Sequence, residues 1–170
     1  LEPILKENKK NQITLVMLKP DTFYKNSARP GNIIDFFSKT GLFMVGAKLI
    51  RFSIAQAIEF YHPLIEIFET KLEGHLNQKL RNLFKSGLSF SVSEDELGEI
   101  TNILRKKNAI CEFNKIITYM TGLEPESVPA DEYHKPGHTI CLALLYYGLN
   151  AITKIRLKLG ATDPEKAELG

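Results

Sequence analysis

No apolar run in this 170-residue sequence approaches the roughly 20 residues that a membrane-spanning helix needs, and no signal-peptide pattern is visible. Only two cysteines occur, Cys111 and Cys141, far apart and in apolar surroundings. That excludes a disulfide framework and any cysteine-based metal spacing, and makes a reducing, cytoplasmic compartment the default expectation. Neither charge sign dominates: 22 Lys and Arg against 20 Asp and Glu leave a net charge of +2. The chain as a whole therefore carries no nucleic-acid or membrane-surface footprint. The one short basic cluster, Arg105-Lys106-Lys107, is expected to close a helix, where cations suit the dipole. No glycine-rich loop leads into Lys-Ser or Lys-Thr, so a P-loop phosphate cradle is missing, as is any nucleophilic Ser or Cys motif. The four histidines, His62, His75, His134 and His138, lack neighbouring carboxylates and metal-ligand spacing.

What is present is ordinary globular material, 44% hydrophobic and 25% charged, enough for one domain with a sizeable insertion. The run Ile13 to Leu18, closed by Lys19-Pro20-Asp21, reads as a buried strand. Pro30-Gly31 precedes a helix with apolar Ile33, Ile34, Phe36 and Phe37, stopped at Gly41. Alternation from Phe43 to Ile50 predicts a second strand with one richly apolar face. Ser53 and Gln56 form a capping box that opens a helix through Tyr61, and Pro63 ends it. From Leu64 to Gly87 one long stripe predicts one helix. A second capping box, Ser93 with Glu96, opens a helix through Leu104, and a further amphipathic stretch runs from Ile110 to Met120. The apolar run Thr139 to Tyr147 reads as a central strand ended by Gly148, and Leu149 to Leu159 as a last helix.

Three positions invite a chemical reading. Lys19 ends a buried strand, at the carboxyl edge where open α/β sheets place ligands; a solvated strand-end lysine is the plainer alternative. On a wheel advancing about 100° per residue, Arg156 falls beside Ile152, Ile155 and Leu159, with Lys154 and Lys158 opposite. A guanidinium on an apolar face needs an anion, either a structural carboxylate or a phosphate held bidentately. Thr162, in Gly160-Ala161-Thr162-Asp163-Pro164, is a loop hydroxyl that suits either a phosphate or its own turn. Tyr61, Phe113 and Ile116 sit on apolar stripes and read by default as core.

Leu15 to Asp21, Gly31 to Lys48, Glu59 to Leu64 and Tyr147 to Pro164 together resemble the nucleoside diphosphate kinase family, over roughly half the chain. Tyr147 departs from the glutamate usual in that block. The resemblance implies an α/β (α+β) fold, a ferredoxin-like βαββαβ sandwich, as a single domain over 1–170 with a helical insertion at about 64–137. It implies that Lys19, Arg156 and Thr162 hold nucleotide phosphates, that Tyr61 lines the site, and that Phe113 and Ile116 clamp the base. It implies Mg2+ accompanying the nucleotide, ATP and nucleoside diphosphates as ligands, and a homo-oligomer. The family passes a γ-phosphoryl group through a phosphohistidine. That histidine and the last strand are expected beyond Gly170, since the chain begins at Leu1, ends after a loop, and reads as part of a longer product. A non-catalytic nucleotide-binding or interaction module of the same fold is the alternative.

Overall fold

The computed structural model describes residues 10–159, which divide into two compact units, one from the two chain ends and one spanning Arg51–Thr139.

The first unit is a three-stranded sheet with two helices. β1 (Asn11–Leu18), β2 (Phe43–Ile50) and β3 (Cys141–Leu149) stand in the order β1-β3-β2, with β3 antiparallel to both neighbours. This is the strand order of a ferredoxin-like α+β fold, as the resemblance implied. Leu18 faces Leu142 and Ile50 faces Cys141, so β1 and β2 finish at the end where β3 begins. A 3-10 turn, Pro20–Phe23, leads from β1 to α1 (Arg29–Ser38); α6 (Ala151–Leu159) follows β3. One face of the sheet makes the core: Val16, Leu18, Leu144 and Tyr146 pack with Phe37, Leu42, Ala151 and Ile155.

Three expectations change here. No β2 residue is fully buried; Phe43 and Leu49, on its supposedly buried face, are 59% and 65% exposed. β2 is an edge strand, and a bulge between Met44 and Gly46 breaks its alternation. Gly148 does not end β3. It adopts φ +150°, with Leu42 Cδ2 only 2.9 Å from where a Cβ would stand, and the strand runs on to Leu149. The turn falls instead at Asn150, φ 54°, so α6 starts at Ala151 rather than at Leu149.

The second unit is helical: α2 (Ile54–Tyr61), α3 (Leu64–Lys71), α4 (Glu73–Gly87) and α5 (Glu94–Thr121). Both capping boxes form as expected, on Ser53 with Gln56 and on Ser93 with Glu96. The Leu64–Gly87 stripe is two helices, broken at Leu72. Conversely, the stretches around Leu97–Leu104 and Ile110–Met120 are one 28-residue helix. Arg105-Lys106-Lys107 therefore lies within α5 and closes nothing; the helix stops at Gly122, φ 70°. Leu76, Leu80 and Leu97 join α4 to α5, with Phe84, Val92, Ile100 and Leu104 around them.

The ends of this unit meet at Gly137. Its N–H donates to the Phe52 carbonyl at 3.0 Å, while the His138 and Thr139 N–H groups both donate to the Thr121 carbonyl at 2.6 and 3.2 Å. A Cβ on Gly137 would lie 2.4 Å from Thr121 O and 2.5 Å from Phe52 O. Both obstacles are backbone, so neither can rotate away. Gly137→Ala is expected to cost about 3 kcal/mol or more, the upper range for overpacking. Urea unfolding of the two proteins measures it; a loss within 0.5 kcal/mol, the range of a neutral surface change, would contradict the close approach. In the first unit, the Tyr146 hydroxyl is buried without a hydrogen-bond partner among the described residues, and burial pushes its pKa up. Tyr146→Phe should raise stability by about 1 kcal/mol, read as a higher Tm.

Candidate functional site

Lys19 follows β1 directly, in extended conformation (φ −80°, ψ 166°), and its carbonyl accepts the Thr22 N–H at 3.0 Å. Pro20 is buried at the first position of the 3-10 turn, which directs the chain away from the sheet as soon as the lysine is placed. The Lys19 side chain is exposed and makes no ion pair among the described residues. Across the strand pair stands Cys141, fully buried. Burial pushes its thiol up to about 11, and the Lys19 ammonium opposes that rise. A free cation thus stands at the shared end of β1 and β2, where β3 starts.

Arg156 corrects the wheel reading. In α6 only Ala151 and Ile155 are buried; Ile152 and Leu159 are 40% and 60% exposed, and Arg156 is exposed too. The covered stripe is one residue wide, narrower than the apolar sector of the wheel. The Arg156 guanidinium is not buried, so it demands no anion, and that support for a phosphate clamp is gone. What remains is a second exposed cation without an ion pair among the described residues. Lys19 and Arg156 stand on elements that share the core of the first unit. No hydrogen bond or ion pair joins them. α6 is tied to the amino end of β1 by the Ile152 N–H on Gln12 Oε1 at 3.2 Å. Thr162 lies outside the described residues.

The other three candidates belong to the second unit. Tyr61 closes α2, half-buried, with its ring edge-on to Phe60 at 4.9 Å. Phe113 is only 4% exposed, on the buried stripe of α5 with Ile117 and Met120. It is a core residue in this unit. Ile116, one turn on, lines a groove of about 300 Å³ with Phe68, Leu72, Tyr119, Glu112 and Lys115. Four of these side chains are apolar or aromatic walls; the Glu112–Lys115 pair, at 2.8 Å, forms a charged rim. An apolar slot with few polar groups is the usual form of a small-molecule site. Tyr119 escaped notice in the sequence although it follows Ile116 by one turn. Phe68 and Leu72 had no local signal, because their place here depends on α3 packing against α5.

The hydrogen bond from Lys115 holds the Glu112 carboxyl below the usual carboxylate range, with Lys79 at 3.5 Å adding to the effect. A depressed folded-state pKa means that the pair stabilises the fold above the unfolded value and loses that contribution as pH falls through the folded one. The Tm advantage of the native chain over Glu112→Gln should therefore be present at pH 7, begin to shrink as pH falls below the ordinary Glu value of about 4.3, and be gone once pH is below the depressed folded-state value. A difference that stays constant down to pH 2 would contradict the ion pair.

The geometry defines an α+β fold with an antiparallel sheet in the order β1-β3-β2 and a cation at its edge. Among solved structures that fold is shared with nucleoside-diphosphate kinases. The enzyme of Borrelia burgdorferi, solved as a transition-state mimic with bound vanadate and ADP, matches with a TM-score of 0.53 at 17% identity. The match covers 94% of this chain and 62% of that one, so the chain spans less than two thirds of that enzyme's length. An NDP kinase from Pyrobaculum aerophilum matches with a TM-score of 0.51 at 23% identity, covering 94% of this chain and 72% of that one. No protein-family model matches the sequence, and no curated protein matches it either. No helix among the described residues is long and apolar enough to cross a membrane.

Proposed function

We propose that this chain is the nucleotide-binding part of a nucleoside diphosphate kinase, which moves the γ-phosphoryl group of a nucleoside triphosphate to a nucleoside diphosphate through a histidine carried beyond residue 170. The observation that carries the reading is Lys19: an exposed cation at the carboxyl end of β1 without an ion pair among the described residues, in a chain that shares the fold of two nucleoside-diphosphate kinases. In this reading Lys19 and Arg156 hold the phosphate oxygens and Thr162 adds a hydroxyl. The histidine nitrogen attacks the γ-phosphorus as the bond to the β-phosphate oxygen breaks, and the two cations offset the charge on the departing diphosphate. Exposed cations suit this work, because they are not already neutralised by internal carboxylates.

In the same proposal a magnesium ion arrives on the nucleotide phosphates rather than in a protein cage. Homo-oligomerisation belongs to the same proposal.

Two measurements test it. Mg-ADP should raise the Tm of this chain, and Lys19→Ala or Arg156→Ala should each weaken ADP binding by about tenfold or more, the loss of one charge-assisted phosphate contact. Unaltered binding in both variants would refute the phosphate assignment. The full gene product, incubated with γ-labelled ATP, should acquire an acid-labile, base-stable phosphate. Nucleotide binding without that label would instead favour the non-catalytic module.

A further inference from the structure

Two cations of the basic cluster inside α5, Lys106 and Lys107, are exposed and make no ion pair among the described residues. Glu99, earlier on the same helix, is likewise exposed and without an ion pair among them. Between Glu99 and Lys107 stands Ile103, 77% exposed. The nucleotide reading uses none of these residues. We infer that this face of α5 is a self-complementary docking surface. A second copy of the chain lays its own α5 antiparallel on it, about a two-fold axis beside Ile103.

Side chains four positions apart share a helix face. Glu99, Ile103 and Lys107 follow one another at that spacing, so all three share one. Glu99 and Lys107 are about 12 Å apart along the axis, too far to pair with each other. Ion pairs within a helix use a spacing of three or four, as Asp35–Lys39 and Glu112–Lys115 do in this chain. No residue of opposite charge lies three or four positions from Glu99 or from Lys107. Neither charge has a partner within the helix, therefore, although the chain pairs such charges elsewhere. Ile110, 51% exposed, stands on the same face two turns beyond Ile103. One exposed apolar side chain needs no explanation. Two isoleucines at heptad spacing, flanked by charges, have the pattern of a helix–helix seam.

The order of the charges selects the occupant and its direction. An antiparallel second α5, with Ile103 on Ile103, brings Glu99 of each copy opposite Lys107 of the other, since both lie about 6 Å from the axis. Two ion pairs then form from four charges that lacked one. A parallel copy would set Glu99 against Glu99 and Lys107 against Lys107, which repels. An antiparallel seam centred between Ile103 and Ile110 would crowd Lys106 and Lys107 of both copies at its middle. The Ile103-centred antiparallel register is the one that pairs these charges. It uses the same patch on both copies, as a two-fold interface must. One helix crossing covers less than the roughly 1,200 Å² of a stable interface, so the contact is reversible.

The test is sedimentation equilibrium of the full chain over a concentration series at low ionic strength, where surface charges are least screened. The native chain should associate as its concentration rises. Ile103→Glu, Glu99→Lys and Lys107→Glu should each weaken that association by about tenfold or more. All three positions are exposed, and an unchanged far-UV circular dichroism spectrum checks that each variant is folded. The reversed charges then give the decisive step. Chains with Glu99→Lys repel one another, and so do chains with Lys107→Glu. A mixture of the two should associate about as tightly as the native chain, because each copy supplies the charge that the other lacks. A variant that merely damages the fold is not rescued by mixing. The inference is overturned if the native chain stays monomeric throughout, which would leave the face to a different protein. It is also overturned if the single variants associate as the native chain does, or if the mixture associates no better than its components. The readout involves no nucleotide, so failure here and failure of the kinase proposal are separate results.

Discussion

Among the described residues, every interstrand hydrogen bond of the sheet runs through one strand. β1 and β2 each pair with β3 and with nothing else among the described residues. Ile50 must face Cys141, so the chain has to leave the sheet after β2 and return to nearly the same point after some ninety residues. The Gly137 contact makes this possible. By bonding residue 137 to Phe52, the helical unit joins its own beginning to its own end. Glycine is required there because two carbonyl oxygens occupy the space of a side chain.

The features legible in the sequence were those decided over a few residues. Both capping boxes depend on a hydroxyl and a carboxyl or amide three positions apart, and both formed. The three strands lie where apolar runs and alternation placed them, within two residues. The features that were not legible depend on distant partners. Periodicity cannot tell one helix from two in line, so it missed the break at Leu72 and the continuity of α5. It also cannot say how much of an apolar sector will be covered. That is why Phe43 and Leu49 are exposed on an edge strand, and why Arg156 faces solvent.

The same limit explains the mixed outcome at the candidate site. Lys19 was identified by its position between an apolar run and a proline, which is local. Phe113 and Ile116 are three residues apart on one helix, and only the packing of α5 decides that the first is core and the second lines a groove. The groove needs α3 as its other wall, and no sequence pattern announces that pairing.

The two cysteines differ in a way that has a practical consequence. Cys111 is exposed on α5, next in sequence to Glu112, whereas Cys141 is buried in the sheet with its thiol pushed up to about 11. At neutral pH only about one in ten thousand Cys141 side chains is the reactive thiolate, and that fraction is shielded from reagents. A maleimide dye will therefore mark the native chain at a single place without mutagenesis. That place is one residue from Glu112 and five from Ile116, close enough for the dye's emission to report whatever enters the groove.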